Sequence, residues 1–258
     1  MKKVLIIICI TMSVAGLHAQ EFKIKPDGTL AEITVSIQNL YGDIKVIGTN
    51  EGEVRIVSDG YEGIPEKAQG LKPLSATGPE NTGVGLFVKE EGGQLIIAGA
   101  HRRADDASYE IYLPKNMKLK IDYNSFQAED VAVSGMANEV EIRSQVGDLV
   151  IESVTGPIVA NTLSGDIEVI FSELAQGSPT SISSTSGDLD ITLPASSKGT
   201  FAMSSMSGEV YTDLNFEMDE EGDMKRVGGG MSLEANLNGG GVEVSLKCLS
   251  GDIFIRKQ

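Results

Sequence analysis

The sequence predicts an all-β protein made of stacked β-strand repeats, with a solenoid-like path of the single-stranded β-helix type. Three observations predict this class. A short motif centred on glycine recurs six times, apolar and polar residues alternate with period two around it, and no amphipathic helix longer than two turns follows the first 19 residues. Because the period alone does not distinguish the two arrangements, a flattened β-sandwich is the alternative.

The first 19 residues have the features of a Sec-type signal peptide. Lys2 and Lys3 give a basic start, the next eleven residues are mostly apolar, and Ala19 precedes the expected cleavage bond. The apolar run is shorter than the ~20 residues that span a bilayer, so stable membrane insertion is not expected. We therefore predict export to the periplasm, the cell surface or the medium, and a single β-repeat domain over residues 20–258.

The exported part of the chain is strongly acidic. Without Lys2 and Lys3, 19 basic residues remain against 37 acidic ones, which gives a net charge of −18. Such a surface repels nucleic acid and anionic lipid head groups, so no nucleic-acid partner is expected. Envelope glycan and membrane protein are the partners that this charge and location leave open.

The repeated motif is a strand end followed by a small residue, a glycine, an acid and an apolar residue. Glycine adopts positive φ and a carboxylate accepts hydrogen bonds from nearby backbone N–H groups, so the pair is typical of a tight corner between strands. Four clear copies and two looser ones occur: Leu163-Ser164-Gly165-Asp166-Ile167, Thr185-Ser186-Gly187-Asp188-Leu189, Met206-Ser207-Gly208-Glu209-Val210, Leu249-Ser250-Gly251-Asp252-Ile253, Leu40-Tyr41-Gly42-Asp43-Ile44 and Gln145-Val146-Gly147-Asp148-Leu149.

The residues counted back in steps of two from each glycine are predicted to point inward. The face that they form narrows toward the corner. Large apolar residues come first and small residues follow, with the period of a strand. Three positions before the glycine, this interpretation gives a column of small residues: Asn39, Ser144, Thr162, Ser184, Ser205 and Cys248.

The spacing of the corners predicts coils of about 20 residues, which suit rungs stacked ~4.8 Å apart. From Gly147 to Gly251 the motif glycines are 18, 22, 21 and 43 residues apart, so the last interval is interpreted as two coils with an insertion. Long loops are predicted near residues 60–85 and 215–240, where proline, glycine or acidic residues interrupt the alternation. A short helix is predicted over residues 66–71.

The Ser-Gly-Asp-Ile units, two strand-Pro-strand units at Leu113-Pro114 and Leu193-Pro194, and the signal peptide resemble the "putative adhesin" family with β-strand repeats, also called DUF4097 or toastrack. The resemblance covers most of residues 111–255, with a weaker echo at residues 35–47. It implies a stacked β-strand fold in an exported bacterial envelope protein. It brings no catalytic residues with it.

No constellation of catalytic residues is evident in the sequence. His101 is the single histidine after the signal segment and is expected in an exposed loop, and there is no G-x-S-x-G elbow around a serine nucleophile. Cys248 falls in the column of small corner residues, where a buried structural thiol is the expected role. We therefore predict no catalytic residue and no organic cofactor.

The pattern of acids is compatible with one metal, calcium. Carboxylates at equivalent corners of stacked rungs would lie ~5 Å apart, and a hard cation could relieve their repulsion. Solvated corner acids that serve only the backbone are the alternative. The weak candidate ligands are Asp148, Asp166, Asp188, Glu209 and Asp252.

These observations favour a non-enzymatic, exported binding or scaffold module of the cell envelope. Two hypotheses of other classes stay open: an envelope-stress signalling accessory that acts through a protein partner, and a glycan-active lyase or hydrolase on a β-helix. Edge-strand self-association is a further expectation, because a last strand ending at Gln258 would be uncapped.

Overall fold

The computed structural model describes residues 20–63, 65–71, 78–100, 107–218, 224–227 and 230–258. The predicted signal peptide therefore lies outside the described residues. The described strands are β1 (Gln20–Ile24), β2 (Thr34–Gln38), β3 (Ile44–Thr49), β4 (Val54–Asp59), β5 (Leu86–Glu91), β6 (Gln94–Gly99), β7 (Ser108–Pro114), β8 (Lys118–Tyr123), β9 (Val131–Ser134), β10 (Val140–Ser144), β11 (Leu149–Val154), β12 (Ile158–Ser164), β13 (Ile167–Phe171), β14 (Thr180–Ser186), β15 (Leu189–Leu193), β16 (Gly199–Ser205), β17 (Val210–Thr212), β18 (Phe216–Glu217), β19 (Met224–Val227), β20 (Gly230–Leu237), β21 (Val242–Ser250) and β22 (Ile253–Lys257).

The strands form two sheets. Sheet A has the order β1-β4-β7-β3-β9-β11-β13-β15-β22-β17. Sheet B has the order β18-β20-β16-β21-β14-β12-β10-β8-β2-β6-β5, and β19 also pairs with β20.

Eight stacked rungs make up the body of the protein, and each rung contributes one strand to each sheet. Neighbouring rungs pair in parallel within each sheet. This confirms the predicted all-β solenoid, although each coil has two strands and its cross-section is that of a flattened sandwich. From rung 1 to rung 8 the pairs are β6–β7, β2–β3, β8–β9, β10–β11, β12–β13, β14–β15, β21–β22 and β16–β17.

The inward faces of both sheets form one hydrophobic core. The strands of the eight rungs, except β17, alternate buried and outward residues, as the period of two predicts. Burying one large aliphatic or aromatic side chain contributes roughly 1.5–3 kcal/mol, and every rung repeats this several times. In rung 5 the buried residues are Ile158, Ala160, Thr162, Ile167, Val169 and Phe171.

The rungs do not stack in chain order at either end of the solenoid. Rung 2 precedes rung 1 in the chain, and rung 8 precedes rung 7, so β21–β22 returns to fill the space between β14–β15 and β16–β17. The prediction of two coils in the interval of 43 residues was wrong, because β17 and β21 make up a single coil there. The described residues between them form β18, β19 and β20, so the described part of residues 215–240 is not the long loop that was expected.

Antiparallel strands cover three of the four sheet ends within the described residues. β4 and β1 cover sheet A at rung 1, β5 covers sheet B there, and β20 covers sheet B at rung 8. At rung 8, sheet A ends on the three-residue strand β17. The prediction that the last strand is an edge was wrong, because β22 lies between β15 and β17.

The described part of the 60–85 loop is held against β5. The Asn81 side-chain amide donates to the Val88 carbonyl at 2.8 Å, and its oxygen accepts the Val88 N–H at 2.8 Å. The helix predicted over residues 66–71 is a single 3-10 turn, Glu66–Ala68. None of the helical segments in the described ranges has the length and apolar character of a membrane span.

Candidate functional site

The corners between sheet B and sheet A are lined by glycines that have no space for a side chain. A Cβ atom on Gly187 would lie 2.1 Å from the carbonyl oxygen of Gly165, and Gly187 has a φ of +145°. A Cβ atom on Gly251 would meet the Gly187 oxygen at 2.3 Å in the same way. The repeated glycine is therefore required by the close stacking of one rung on the next.

Small polar side chains inside the same corners donate to the glycine carbonyls. Ser184 Oγ donates to Gly165 O at 3.1 Å, and Ser205 Oγ donates to Gly251 O at 2.8 Å. Cys248 lies in this column as expected, 5% exposed, with its sulfur 2.9 Å from the Gly187 oxygen.

Two corners depart from the predicted column of small residues. Asn39 was expected to point inward, but it is exposed with a φ of 53°, and Leu40 is buried instead. The positive φ shifts the alternation by one residue. In rung 3 the inward position belongs to Tyr123, whose hydroxyl donates to the Gly42 carbonyl. Burial raises the pKa of the Tyr123 phenol above its ordinary value.

The corner acids form a continuous ladder along the outside of the corners. In each step one carboxylate oxygen accepts the backbone N–H of the acid in the next rung. In stacking order the members are Asp43, Asp130, Asp148, Asp166, Asp188, Asp252 and Glu209, and the six N–H to oxygen distances are 3.3, 2.8, 2.8, 2.7, 2.7 and 2.8 Å.

All five acids proposed as metal ligands belong to this ladder, which also has two members outside that set. Asp43 stands in a looser copy of the motif, and Asp130 follows a corner without the glycine, so the motif does not identify it. Across the described ranges, no three His, Cys, Asp or Glu side chains are grouped so that they could hold a metal ion. Calcium binding by the corner acids stays a hypothesis. His101, the other residue considered, lies outside the described residues.

Cys248→Ser is expected to be nearly neutral, with a change of less than about 1 kcal/mol in the free energy of unfolding. Serine is the residue at the equivalent positions of rungs 4, 6 and 8, and its hydroxyl can donate to the Gly187 carbonyl as the thiol does. Burial raises the pKa of the Cys248 thiol, so a thiol reagent should react slowly with the folded protein at pH 8. Urea unfolding of both proteins and the rate of thiol labelling test this, and fast labelling of the folded chain would contradict it.

An open groove of about 980 Å³ lies at the rung 1 end of the acid ladder. The beginning of the 60–85 loop, with Tyr61, forms one side, and β3, β4 and β7 of sheet A form the other. Five carboxylates and one ammonium group line it: Asp43, Asp59, Glu62, Glu110, Asp130 and Lys45. Lys45 Nζ lies 3.8 Å from the Glu110 carboxylate, so the positive charge is already partly paired. The groove is therefore a concave surface of strongly negative charge.

Comparison with known proteins supports the resemblance found in the sequence. The Toastrack DUF4097 family profile matches residues 21–256. A "putative cell adhesion protein" of Clostridium sporogenes is similar, with 12% identity, 93% of this chain and 100% of the other covered, and a TM-score of 0.47. A "putative adhesin" of Bacteroides fragilis has 12% identity and a TM-score of 0.43, with 94% of this chain and 98% of the other covered. A "putative adhesin" of Parabacteroides merdae has 11% identity and a TM-score of 0.27, with 92% of this chain and 95% of the other covered. The search of curated proteins finds no match. The chain belongs to the Toastrack DUF4097 family.

Proposed function

We propose that the protein is a non-enzymatic, exported binding module of the bacterial cell envelope, and that it holds its ligand in the acidic groove at rung 1. The observation that carries the proposal is the groove itself. The groove lies where the beginning of the 60–85 loop meets the rigid β-solenoid. Binding residues are often found on loops that a rigid scaffold holds in place.

The chemistry of the groove favours a ligand rich in hydroxyl or basic groups. Ionised carboxylates only accept hydrogen bonds, and a donor to a charged group contributes about 1.5–3 kcal/mol. An anionic glycan would be repelled by the five carboxylates, whereas amino sugars and basic segments of an envelope protein would be attracted. A neutral sugar would not be repelled and could donate hydrogen bonds from its hydroxyl groups.

The residues that line the groove support binding better than catalysis. They include neither histidine nor cysteine, so the groove lining holds no Ser–His or Cys–His pair. Ser108 is the single serine of the lining, and Lys45 is beside Glu110. The ladder contacts of Asp43 and Asp130 give two of the five carboxylates a structural role.

A capture experiment with purified Gln20–Gln258 tests this proposal. Polysaccharide, peptidoglycan and membrane-protein fractions of the host envelope are each presented at low and high salt. We expect the double variant Asp59→Asn and Glu62→Gln to lower the affinity for the captured fraction about 10-fold, since the amide oxygens still accept hydrogen bonds but two negative charges that strengthen these bonds are lost. The control, Glu152→Gln with Glu168→Gln, removes the same charge from exposed positions of sheet A outside the groove.

Each outcome of the capture experiment has a defined meaning. Saturable capture that is weakened only by the groove variant supports the proposal, and equal capture by both variants contradicts it. Chemical change of a captured glycan would move the assignment to a glycan-active enzyme. Selective capture of one membrane protein, unaffected by the groove variant, would favour the signalling accessory.

A further inference from the structure

The outer face of sheet B changes character along the solenoid. In rungs 3 and 4 it carries paired charges: Lys120 lies 3.1 Å and Arg143 2.9 Å from the Glu141 carboxylate, and Lys118 lies 3.3 Å from Glu139. From rung 5 onward these charges give way to serine, threonine, alanine and apolar residues. A surface of this second kind is unusual when residues 20–258 carry a net charge of −18.

We define the charge-poor surface as the outward-facing residues of β12, β14, β21 and β16, with Met206 directly after β16. They are the odd positions 159–163, 181–185 and 243–249 and the even positions 200–206. Two of these fourteen residues are charged, Glu243 and Lys247, and their charges cancel. Four of the eight exposed large hydrophobic residues in the described chain also lie here: Val159, Leu163, Met206 and Leu249. Depletion of charge together with exposed apolar side chains is typical of the core of a protein–protein interface.

The register of the strands makes this surface complementary to itself. Ser245 of β21 pairs with Ser181 on one side and Ala202 on the other, which gives a row of small residues across the strands. Lys247 and Glu243 lie two positions to either side of Ser245 on β21. A second copy can be placed face to face by a two-fold rotation about an axis along that row, which reverses the direction of its strands. Each Lys247 then lies opposite the Glu243 of the other copy.

The two margins of the surface differ in bulk. Leu249 lies four positions after Ser245, and Gly241 lies four positions before it. The Leu249 margin carries large exposed side chains, whereas the opposite margin of β21 is the turn Gly239–Gly241. A Cβ atom at Gly239 would meet nothing within 4 Å, but one at Gly241 would lie 2.6 Å from Gln176 Oε1. Reversal about the Ser245 row therefore places the bulky residues over this turn, where the open space is at Gly239.

The size of the charge-poor surface suits a weak dimer. The defined positions span 24 residues on four strands, and at ~3.3 Å per residue and ~4.8 Å per strand they cover about 380 Å² per copy, or about 760 Å² in total. This is below the ~1,000 Å² of a stable specific interface, so a weak and reversible dimer is expected. Because residues 20–258 carry a net charge of −18, two copies repel each other wherever their acidic faces meet. Charge therefore confines the contact between two copies to the charge-poor surface.

We propose that the protein forms a two-fold symmetric dimer through the charge-poor surface of sheet B, with Lys247 of each copy paired to Glu243 of the other. This assembly joins two solenoids face to face and leaves the rung 1 groove of each copy open. It is independent of what the groove binds.

Sedimentation velocity of Gln20–Gln258 between ~1 and ~500 μM tests the dimer, and a dissociation constant in the micromolar range is expected. Lys247→Glu or Glu243→Lys alone should raise this constant at least 10-fold, because each places like charges opposite one another. The double exchange Glu243→Lys with Lys247→Glu should restore it to within about threefold. Within one strand the two residues are ~13 Å apart, so this rescue requires a second copy.

Matched controls change the same charge elsewhere. Lys115→Glu and Glu152→Lys alter exposed residues outside the charge-poor surface and should leave the dissociation constant unchanged. A wild-type chain that stays monomeric at ~500 μM overturns the dimer. A dimer that tolerates both single exchanges, or that the double exchange does not restore, overturns the assigned surface.

Discussion

Gly187→Ala is expected to lower the free energy of unfolding by about 3–5 kcal/mol, the combined cost of overpacking and of backbone strain. The added Cβ atom would lie 2.1 Å from the Gly165 carbonyl oxygen and 2.9 Å from Asp166 Oδ1. Neither neighbour can move freely, since the Asp166 oxygen accepts the Asp188 N–H and Ser184 Oγ donates to the Gly165 carbonyl. The φ of +145° adds a conformation that alanine rarely adopts.

Urea unfolding of Gly187→Ala and of Gly52→Ala separates the corner from the general effect of replacing a glycine. Gly52 lies in the turn between β3 and β4, and a Cβ atom there would have no neighbour within 4 Å. Gly52→Ala should change stability by less than about 1 kcal/mol, because the loss of chain freedom acts mainly on the unfolded state. Similar, small changes in both variants would show that the corners can relax and that the glycines are not required there.

The strands and corners were predictable because each depends on local sequence. Alternation over a few residues determines which face of a strand is buried, and the glycine–acid pair marks the corner that follows. The exception, Asn39, shows the limit of this reasoning. A single residue with positive φ shifts the alternation by one position, and nothing in the local pattern distinguishes it from the regular copies.

The order of the rungs was not predictable from the motif. The corners at Gly187, Gly208 and Gly251 have nearly the same sequence, so the motif does not determine which corner stacks on which. The structure places the Gly251 corner next to Gly187 and moves the Gly208 corner to the end. This choice depends on long-range pairing of β16 and β20 with β21, which no local pattern encodes.

The acidic groove could not be predicted from the sequence either. Its carboxylates come from β4, from β7, from the residues directly before β3 and β9, and from the beginning of the 60–85 loop. They come together because rung 1 is inserted outside rung 2, and that insertion could not be inferred. Six of the seven corner acids, all except Asp130, were in contrast identified from the repeated motif, and the structure adds the backbone contacts that join them.

Asp188→Ala is expected to lower the free energy of unfolding by about 1.5–3 kcal/mol, the contribution of one hydrogen bond to a charged acceptor. Asp188 is a central member of the ladder: its Oδ1 accepts the Asp252 N–H at 2.7 Å, and its own N–H donates to Asp166 Oδ1 at 2.7 Å. Truncation removes the first contact and leaves the partly buried Asp252 N–H without this acceptor. The effect is measured by urea unfolding, with Glu168→Ala, an exposed acid outside the ladder, as the control.

Asp188→Asn separates the hydrogen bond from the charge. The amide oxygen of asparagine can still accept the Asp252 N–H, and one of several stacked negative charges is removed, so a loss of less than about 1 kcal/mol is expected. If the ladder acts through its hydrogen bonds, alanine is therefore clearly worse than asparagine at this position. Thermal unfolding with and without millimolar CaCl2 tests the calcium hypothesis: a rise in the Tm of the wild type that is lost in Asp188→Asn would require a cation bound at the corner acids. Equal loss of stability in the alanine and asparagine variants without calcium would contradict the hydrogen-bond role and make the charge of the carboxylate the stabilising factor.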